Sequence, residues 1–158
     1  MKTLDYIKLD ASAAGKVVAE LQQLLADFQV YYTNLRGFHW NIKGNQFFVL
    51  HSQFENMYND AAEKVDEIAE RILMLGGTPV NTFSEYLKVS KVKEVSNVSA
   101  ADACLKHVLE TYSLLIADER RILSLASEAG DEATVALMSD YLKEQEKLVW
   151  MLCAYETK

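Results

Sequence analysis

Two histidines and three carboxylates in the stretch RGFHWNIKGNQFFVLHSQFENMYNDAAEKVDEIAERIL, residues 36–73, have the types and spacing to hold a transition metal: His39, His51, Glu55, Asp66 and Glu70. Imidazole and carboxylate without thiolate suit Fe(II), with Mn(II) or Zn(II) as alternatives, and leave coordination positions open to an oxidant. Such a centre does redox chemistry rather than structural work. On a helical wheel with His51 at zero and about 100° per residue, Glu55 falls near 40°, Asp66 near 60° and Glu70 near 100°, so all four share one stripe. The apolar set Leu50, Phe54, Met57, Ala61, Val65, Ile68, Ile72 and Leu75 centres at roughly −90°, so the stripe is rotated off the face that must pack. The site, if real, does not lie in the centre of a bundle.

Axial distance adds a second constraint. His51 and Glu70 are 19 residues apart, which a rise of about 1.5 Å per residue turns into about 30 Å. One straight helix cannot bring both ends to one ion. A second copy running antiparallel across a two-fold axis places His51 opposite Glu70 and Glu55 opposite Asp66, because both pairs are centred between Asp60 and Ala61. Asn59 and Ala62, small and on the same stripe, sit where the two helices need to approach, and an isologous contact is the commonest way for identical chains to pair. His39 comes just before a turn at Gly44, and folding that turn back brings it beside His51. Each site then takes His39, His51 and Glu55 from one chain and Asp66 and Glu70 from its mate. A plainer reading competes: acidic residues spaced by four along a helix are commonly a solvated face, and two histidines 12 apart are commonly incidental. Spacing alone leaves both open.

The elements that must position these residues are helices. From Ala11 to about Phe38 the residues Val17, Val18, Leu21, Leu24, Leu25, Phe28, Tyr31, Tyr32 and Leu35 recur at three and four, with Asp10 or Ser12 as cap. The pattern resumes after "NIKG" and runs over 46–76 until "GGTP" stops it. Residues 78–98 lose the long period, although "TFSE" at 82–85 has the form of a capping box and starts a short helix. A third helix is expected over 99–129, ending at Gly130, and a fourth over 131–156. The fold class is therefore all-α: a four-helix bundle with one long crossover carrying a small helix between helices 2 and 3, the ferritin-like arrangement, as one domain over 1–158 with a short N-terminal segment 1–10.

Bulk properties narrow the partners. Sixteen basic residues against 23 acidic ones give a net charge of −7, which argues against a surface that wraps nucleic acid and makes cations more natural partners. No window approaches the roughly 20 apolar residues of a membrane span, and the first residues lack a signal-peptide core, so a soluble cytoplasmic protein is expected. Cys104 and Cys153 fit no paired-cysteine metal spacing and read as buried thiols in a reducing compartment.

The run His39-Trp40, Gly44, Phe47, His51, Glu55, then "DEIAER" carrying Asp66 and Glu70, together with "EKLVWML" at 146–152, resembles the Dps family, the mini-ferritins known as DNA-binding proteins from starved cells. The similarity covers nearly the whole chain. It implies a ferroxidase whose ligands, two histidines and a carboxylate from one subunit with an Asp and a Glu from the two-fold mate, map onto His39, His51, Glu55, Asp66 and Glu70. The first carboxylate is often Asp in that family and is Glu55 here, a methylene longer. The resemblance further implies iron as the metal handled (Fe2+ and Fe3+), two ferroxidase sites per two-fold dimer, a hollow dodecamer, hydrogen peroxide as preferred oxidant, and storage of Fe(III) mineral that protects the cell from oxidative damage.

The Glu-x-x-His motif of bundle-centred di-iron proteins is absent, and His107 with Glu110 has no matching second helix, so that pair reads as a surface or interface group. Trp40 adjoins a ligand and joins the candidate catalytic residues as an electron donor or radical trap, with packing as the competing role; Trp150 reads as an interface or core residue. Glu128, Asp131, Glu132 and Asp140 are candidate iron-entry pore residues, although acidic residues at a helix start also serve its dipole. Two other function classes compete: a protein acting chiefly by binding and compacting DNA, and an oligomeric scaffold. DNA-binding members commonly use a mobile basic tail, whereas here Lys2 and Lys8 face Asp5 and Asp10 and the chain closes on "YETK", so weak or no DNA binding is expected.

Overall fold

A computed structural model describes residues 2–157. The elements in chain order are α1 (Thr3–Ile7), α2 (Ala11–Asn41), α3 (Phe47–Met74), α4 (Phe83–Val89), α5 (Ala101–Glu128) and α6 (Glu132–Glu156), with no strand among the described residues. α2 and α3 form one antiparallel hairpin, α5 and α6 a second, and α2 packs on α5 to close a four-helix bundle; α4 lies along α2. The three- and four-residue spacing of the apolar residues drives this, because it puts Leu21, Leu24, Leu25, Phe28 and Leu35 of α2 on the same side as Phe54, Ala61, Ile68 and Ile72 of α3. Tyr31, Phe28, Tyr141 and Tyr112 add edge-to-face aromatic contacts through the middle.

The helix ends follow local chemistry. Asp10 caps α2 by accepting the amide of Ala13 at 2.8 Å, and Thr82 caps α4 by accepting that of Glu85, whose carboxylate in turn takes the Thr82 hydroxyl. α2 runs to Asn41, three residues beyond the expected end at 38, and the Asn41 amide returns to the carbonyl of Gly37. Gly77 could carry no side chain, since an added Cβ would lie 2.7 Å from Val18 Cγ1 and 2.9 Å from Ile72 Cγ2. The short segment before α2, to which the sequence reading assigned no element, contains the short α1, and Leu4 in it packs beside Gly76.

The crossover between α3 and α5 has little periodicity, yet polar groups strap it to α2 along its length. Asp27, buried to 0% exposure, accepts the Ser90 hydroxyl, the amides of Lys91 and Val92, and the Gln23 amide. Gln22 bridges Thr78 and Val80, and Asn34 bridges Lys93 and Val95. The backbone groups of this non-helical segment are thus satisfied by side chains where no helix partner exists.

Candidate metal centre

The α2–α3 turn sets the site. Gly44 sits at φ +104°, a conformation that side-chain-bearing residues rarely adopt, and the turn is tied to the start of α5 by the Lys43 amide on the Ser99 carbonyl. Phe38, Ile42, Leu50 and Phe54 are buried inside the hairpin, with the Phe38 and Phe54 rings 5.7 Å apart. That packing leaves the next residue of α2, His39, and the next of α3, His51, on the flank of the same hairpin end.

Their imidazoles stack, 3.8 Å between centroids and 20° between planes. The Nδ1 of His39 lies 2.7 Å from the carbonyl oxygen of His51, and the Nδ1 of His51 lies 2.8 Å from the carbonyl oxygen of His39. A carbonyl only accepts, so both Nδ1 atoms carry the proton and, in the neutral rings, both Nε2 lone pairs are free. A metal-binding histidine is held in this way, oriented and fixed in tautomer by a hydrogen bond from its other nitrogen. Phe47 covers the other side of His51 at 5.0 Å and Tyr58 meets His39 edge-on at 5.4 Å.

Glu55, one turn beyond His51, is exposed, and so are Asp66 and Glu70 near the far end of α3. None of the three carboxylates takes a hydrogen bond or ion pair from another described residue. The opposite side of α3, through Leu50, Phe54, Met57, Ala61, Ile68 and Ile72, is buried, and Asn59 and Ala62 lie exposed between the two ends of the acidic stripe. The chain thus brings His39 and His51 together with Glu55 close by, and keeps Asp66 and Glu70 apart from them. Among the described residues no three His, Cys, Asp or Glu side chains converge as a metal cage within one chain.

The remaining candidates divide. Trp40 is 63% exposed, with the Arg36 guanidinium 4.6 Å over its ring, so it does not pack in this chain's core. Trp150 is likewise exposed. Glu128, Glu132 and Asp140 are exposed, but Asp131 is not available to a pore: it is buried, caps α6 through the amide and hydroxyl of Thr134, and accepts Arg71 at 2.6 Å. Its side chain ties α6 to α3. His107 stands 3.9 Å from Glu110 and stacks on Phe38. Cys104 is buried, which pushes its thiol up to about 11, whereas Cys153, expected to be buried as well, is exposed.

Polar groups inside the bundle escaped the sequence reading. Lys64 is only 4% exposed and its ammonium bonds Asp60 and Glu144. Glu119 is fully buried and accepts the Gln145 amide; burial pushes its carboxyl up to about 8. A lysine at an apolar position of the α3 wheel was the one visible signal.

Residues 18–158 match the Ferritin family, described as a ferritin-like domain. The chain is 57% identical over 157 residues, 99% of each chain, to a DNA protection during starvation protein of Porphyromonas gingivalis. Its fold is similar to the crystal structure of a Dps protein from Vibrio cholerae O1, described as a member of a broad superfamily of ferritin-like diiron-carboxylate proteins, with a TM-score of 0.93, 48% identity and 94% of each chain covered. A Dps protein from Bacillus brevis matches with a TM-score of 0.90 and 33% identity, covering 94% of this chain and 100% of that one.

Proposed function

Because the chain belongs to the Dps family of ferritin-like proteins, we propose that it is an iron-sequestering mini-ferritin. It oxidises Fe(II) at sites shared between two-fold related subunits, preferably with hydrogen peroxide, and stores Fe(III) mineral inside a hollow homo-oligomer, twelve subunits by family likeness. The observation that carries this reading is the His39–His51 pair, with both Nδ1 atoms engaged and both Nε2 atoms free, with Glu55, Asp66 and Glu70 exposed and unpaired along α3.

In this reading each subunit contributes His39, His51 and Glu55 to one site and Asp66 and Glu70 to the mate's site, so a two-fold dimer has two ferroxidase sites. Iron is the substrate. The neutral imidazoles supply lone pairs without adding charge, and the three carboxylates offset the charge that grows as Fe(II) becomes Fe(III). Two Fe(II) give one electron each to one hydrogen peroxide, which takes up two protons and leaves as two waters. Paired transfer releases no hydroxyl radical, and this is the protective outcome. Trp40, next to His39 in the chain and exposed, is the proposed electron donor when only one Fe(II) is present. Glu128, Glu132 and Asp140 are the proposed entry residues for Fe(II).

The cytoplasm is the proposed location, in keeping with the absence of any helix among the described residues long and apolar enough to cross a membrane. Weak or no DNA binding is proposed on the net charge of −7. The test is anaerobic loading with Fe(II) followed by hydrogen peroxide, read by absorbance and by iron retained per chain. Retention of iron with little radical formation supports the reading. A scaffold retains none, and a tight, salt-sensitive shift of duplex DNA favours the DNA-compacting alternative.

A further inference from the structure

Of the chain's four arginines, three have a carboxylate: Arg71 pairs with Asp131, Arg120 with Glu146, and Arg121 with Glu20 and Asp118. Arg36 has none. It is half-buried, its guanidinium lies 5.3 Å from the Tyr32 ring and 4.6 Å from the Trp40 ring, one turn before and one turn after it on α2, and no described residue gives it a hydrogen bond or ion pair. Two aromatic faces hold a flat cation in place without using any of its N–H donors. Arg36 is therefore a fixed cation with its donors free, on the flank of the hairpin that carries His39.

The register of the hairpin indicates which anion it meets. His39 stacks on His51 and Tyr32 meets Tyr58, so Arg36, between His39 and Tyr32 on α2, stands level with Phe54 and Glu55 on α3. In the two-fold pairing proposed above, Glu55 faces the partner's Asp66. The partner's Asp66 thus comes to the level of Arg36, with the partner's Glu63 and the partner's Glu70 one turn to either side. In this chain Asp66 is exposed and, like Arg36, unpaired. The two cannot meet within one subunit, because Asp66 lies 11 residues beyond Glu55, about 16 Å along α3.

We propose that Arg36 is a positioning residue of the shared site: in the metal-free assembly its guanidinium pairs with the partner's Asp66, and it yields that carboxylate when Fe(II) binds. This role rests on the two-fold ferroxidase reading. Three carboxylates gathered without a metal repel one another, and a cation at their edge offsets that charge and holds the Asp66 side chain in place. The same cation opposes the arrival of a metal ion. Loss of Arg36 therefore has two effects of opposite sign, weaker pairing of metal-free subunits and tighter metal binding. An arginine with a merely structural role produces only the first.

The test is a double-mutant cycle on the metal-free assembled protein, with subunit dissociation on dilution followed by analytical ultracentrifugation. Arg36→Gln should weaken pairing at least about tenfold when Asp66 is present and less than about twofold in an Asp66→Asn background. Residues this far apart within one chain contribute additively, so such coupling reports a contact between subunits. Mn2+ is the second probe, its affinity read by electron paramagnetic resonance. Arg36→Gln should tighten Mn2+ binding at least about tenfold by removing a like charge at a few ångströms, whereas Arg36→Lys, which keeps the charge, should stay within about threefold of wild type. Arg36→Met, which fills the slot between the two rings, serves in both measurements if Arg36→Gln fails to assemble. Equal weakening in the two backgrounds overturns the proposal, and so does unchanged Mn2+ affinity once the charge is gone. Failure of the ferroxidase reading would look different: the coupling between Arg36 and Asp66 is found, yet wild-type protein neither oxidises nor retains iron.

Discussion

His39 and His51, on different helices, exchange hydrogen bonds: each ring's Nδ1 donates to the other residue's main-chain carbonyl, at 2.7 and 2.8 Å. The pair is a clasp between the end of α2 and the start of α3, and it fixes both tautomers before any metal arrives. In the iron-free protein at neutral pH, nitrogen-15 NMR should therefore find the Nδ1–H tautomer at both residues. A dominant Nε2–H form at either one would mean that the free lone pairs do not exist as described. His39→Ala should cost about 1 kcal/mol in urea unfolding, one hydrogen bond's worth, while lowering Fe(II) oxidation at least about tenfold.

The proposed division of the site between subunits makes a prediction that no single-chain centre shares. A His39→Ala/His51→Ala protein and an Asp66→Asn/Glu70→Gln protein should each be inactive alone. Co-assembled, mixed two-fold dimers contain one complete site out of two, so random mixing should restore about a quarter of wild-type oxidation if subunits pair two-fold through α3. The check is stopped-flow Fe(II) oxidation on assemblies whose mixing is verified by mass spectrometry. Verified mixed assemblies that stay inactive would refute ligation across the interface.

How much of this was written in the sequence depends on the kind of signal. The four long helices were legible because their apolar residues repeat every three or four positions, and most of their ends fell within three residues of Asn41, Phe47, Met74, Ala101, Glu128 and Glu132. The stacked histidines were legible because the turn at Gly44 has few ways to fold back. By contrast, α1 is one turn long and presents no period, so it could not be seen. Asp131 was read as a pore residue because its acidity is visible in sequence, whereas Arg71 reaching it from sixty positions away is not. The Lys64–Glu144 and Glu119–Gln145 contacts are hidden for the same reason, since these partners meet only once α3, α5 and α6 have packed; Asp60 lies one turn from Lys64 on α3, and the lysine's place among apolar positions was the one visible sign. Burial of a charge is a property of the fold, not of the local string.

Asp27 illustrates such a group with a measurable consequence. It collects the Ser90 hydroxyl and the amides of Lys91 and Val92 at 2.6 to 3.1 Å, all from a crossover with no helix of its own at that point. Asp27→Ala should destabilise the fold by about 3 kcal/mol, since it leaves buried donors unpaired, and Asp27→Asn by somewhat less. Hydrogen exchange at Lys91 and Val92 should accelerate in both. Unfolding within about 0.5 kcal/mol of wild type would show that the crossover is held by its apolar contacts instead.

Glu119 carries the clearest pH signature. Burial raises its carboxyl to about 8 in the folded chain, against 4.5 when free. Between those values the folded protein holds a proton that the unfolded chain has released. Stability from this residue is therefore fully present below about pH 4.5 and is lost as pH rises through about 8, with a slope of at most about 1.4 kcal/mol per pH unit. Paired surface carboxylates act in the opposite direction, so the comparison that isolates the residue is wild type against Glu119→Gln, which keeps a hydrogen-bonding partner for Gln145 but cannot ionise. Urea unfolding across pH 5 to 9 should show the variant gaining stability relative to wild type as pH rises, with the difference levelling above about pH 8. Parallel profiles for the two proteins would mean that Glu119 is ionised in the folded state, its charge offset by Lys64 or by water, and the raised value would have to be given up.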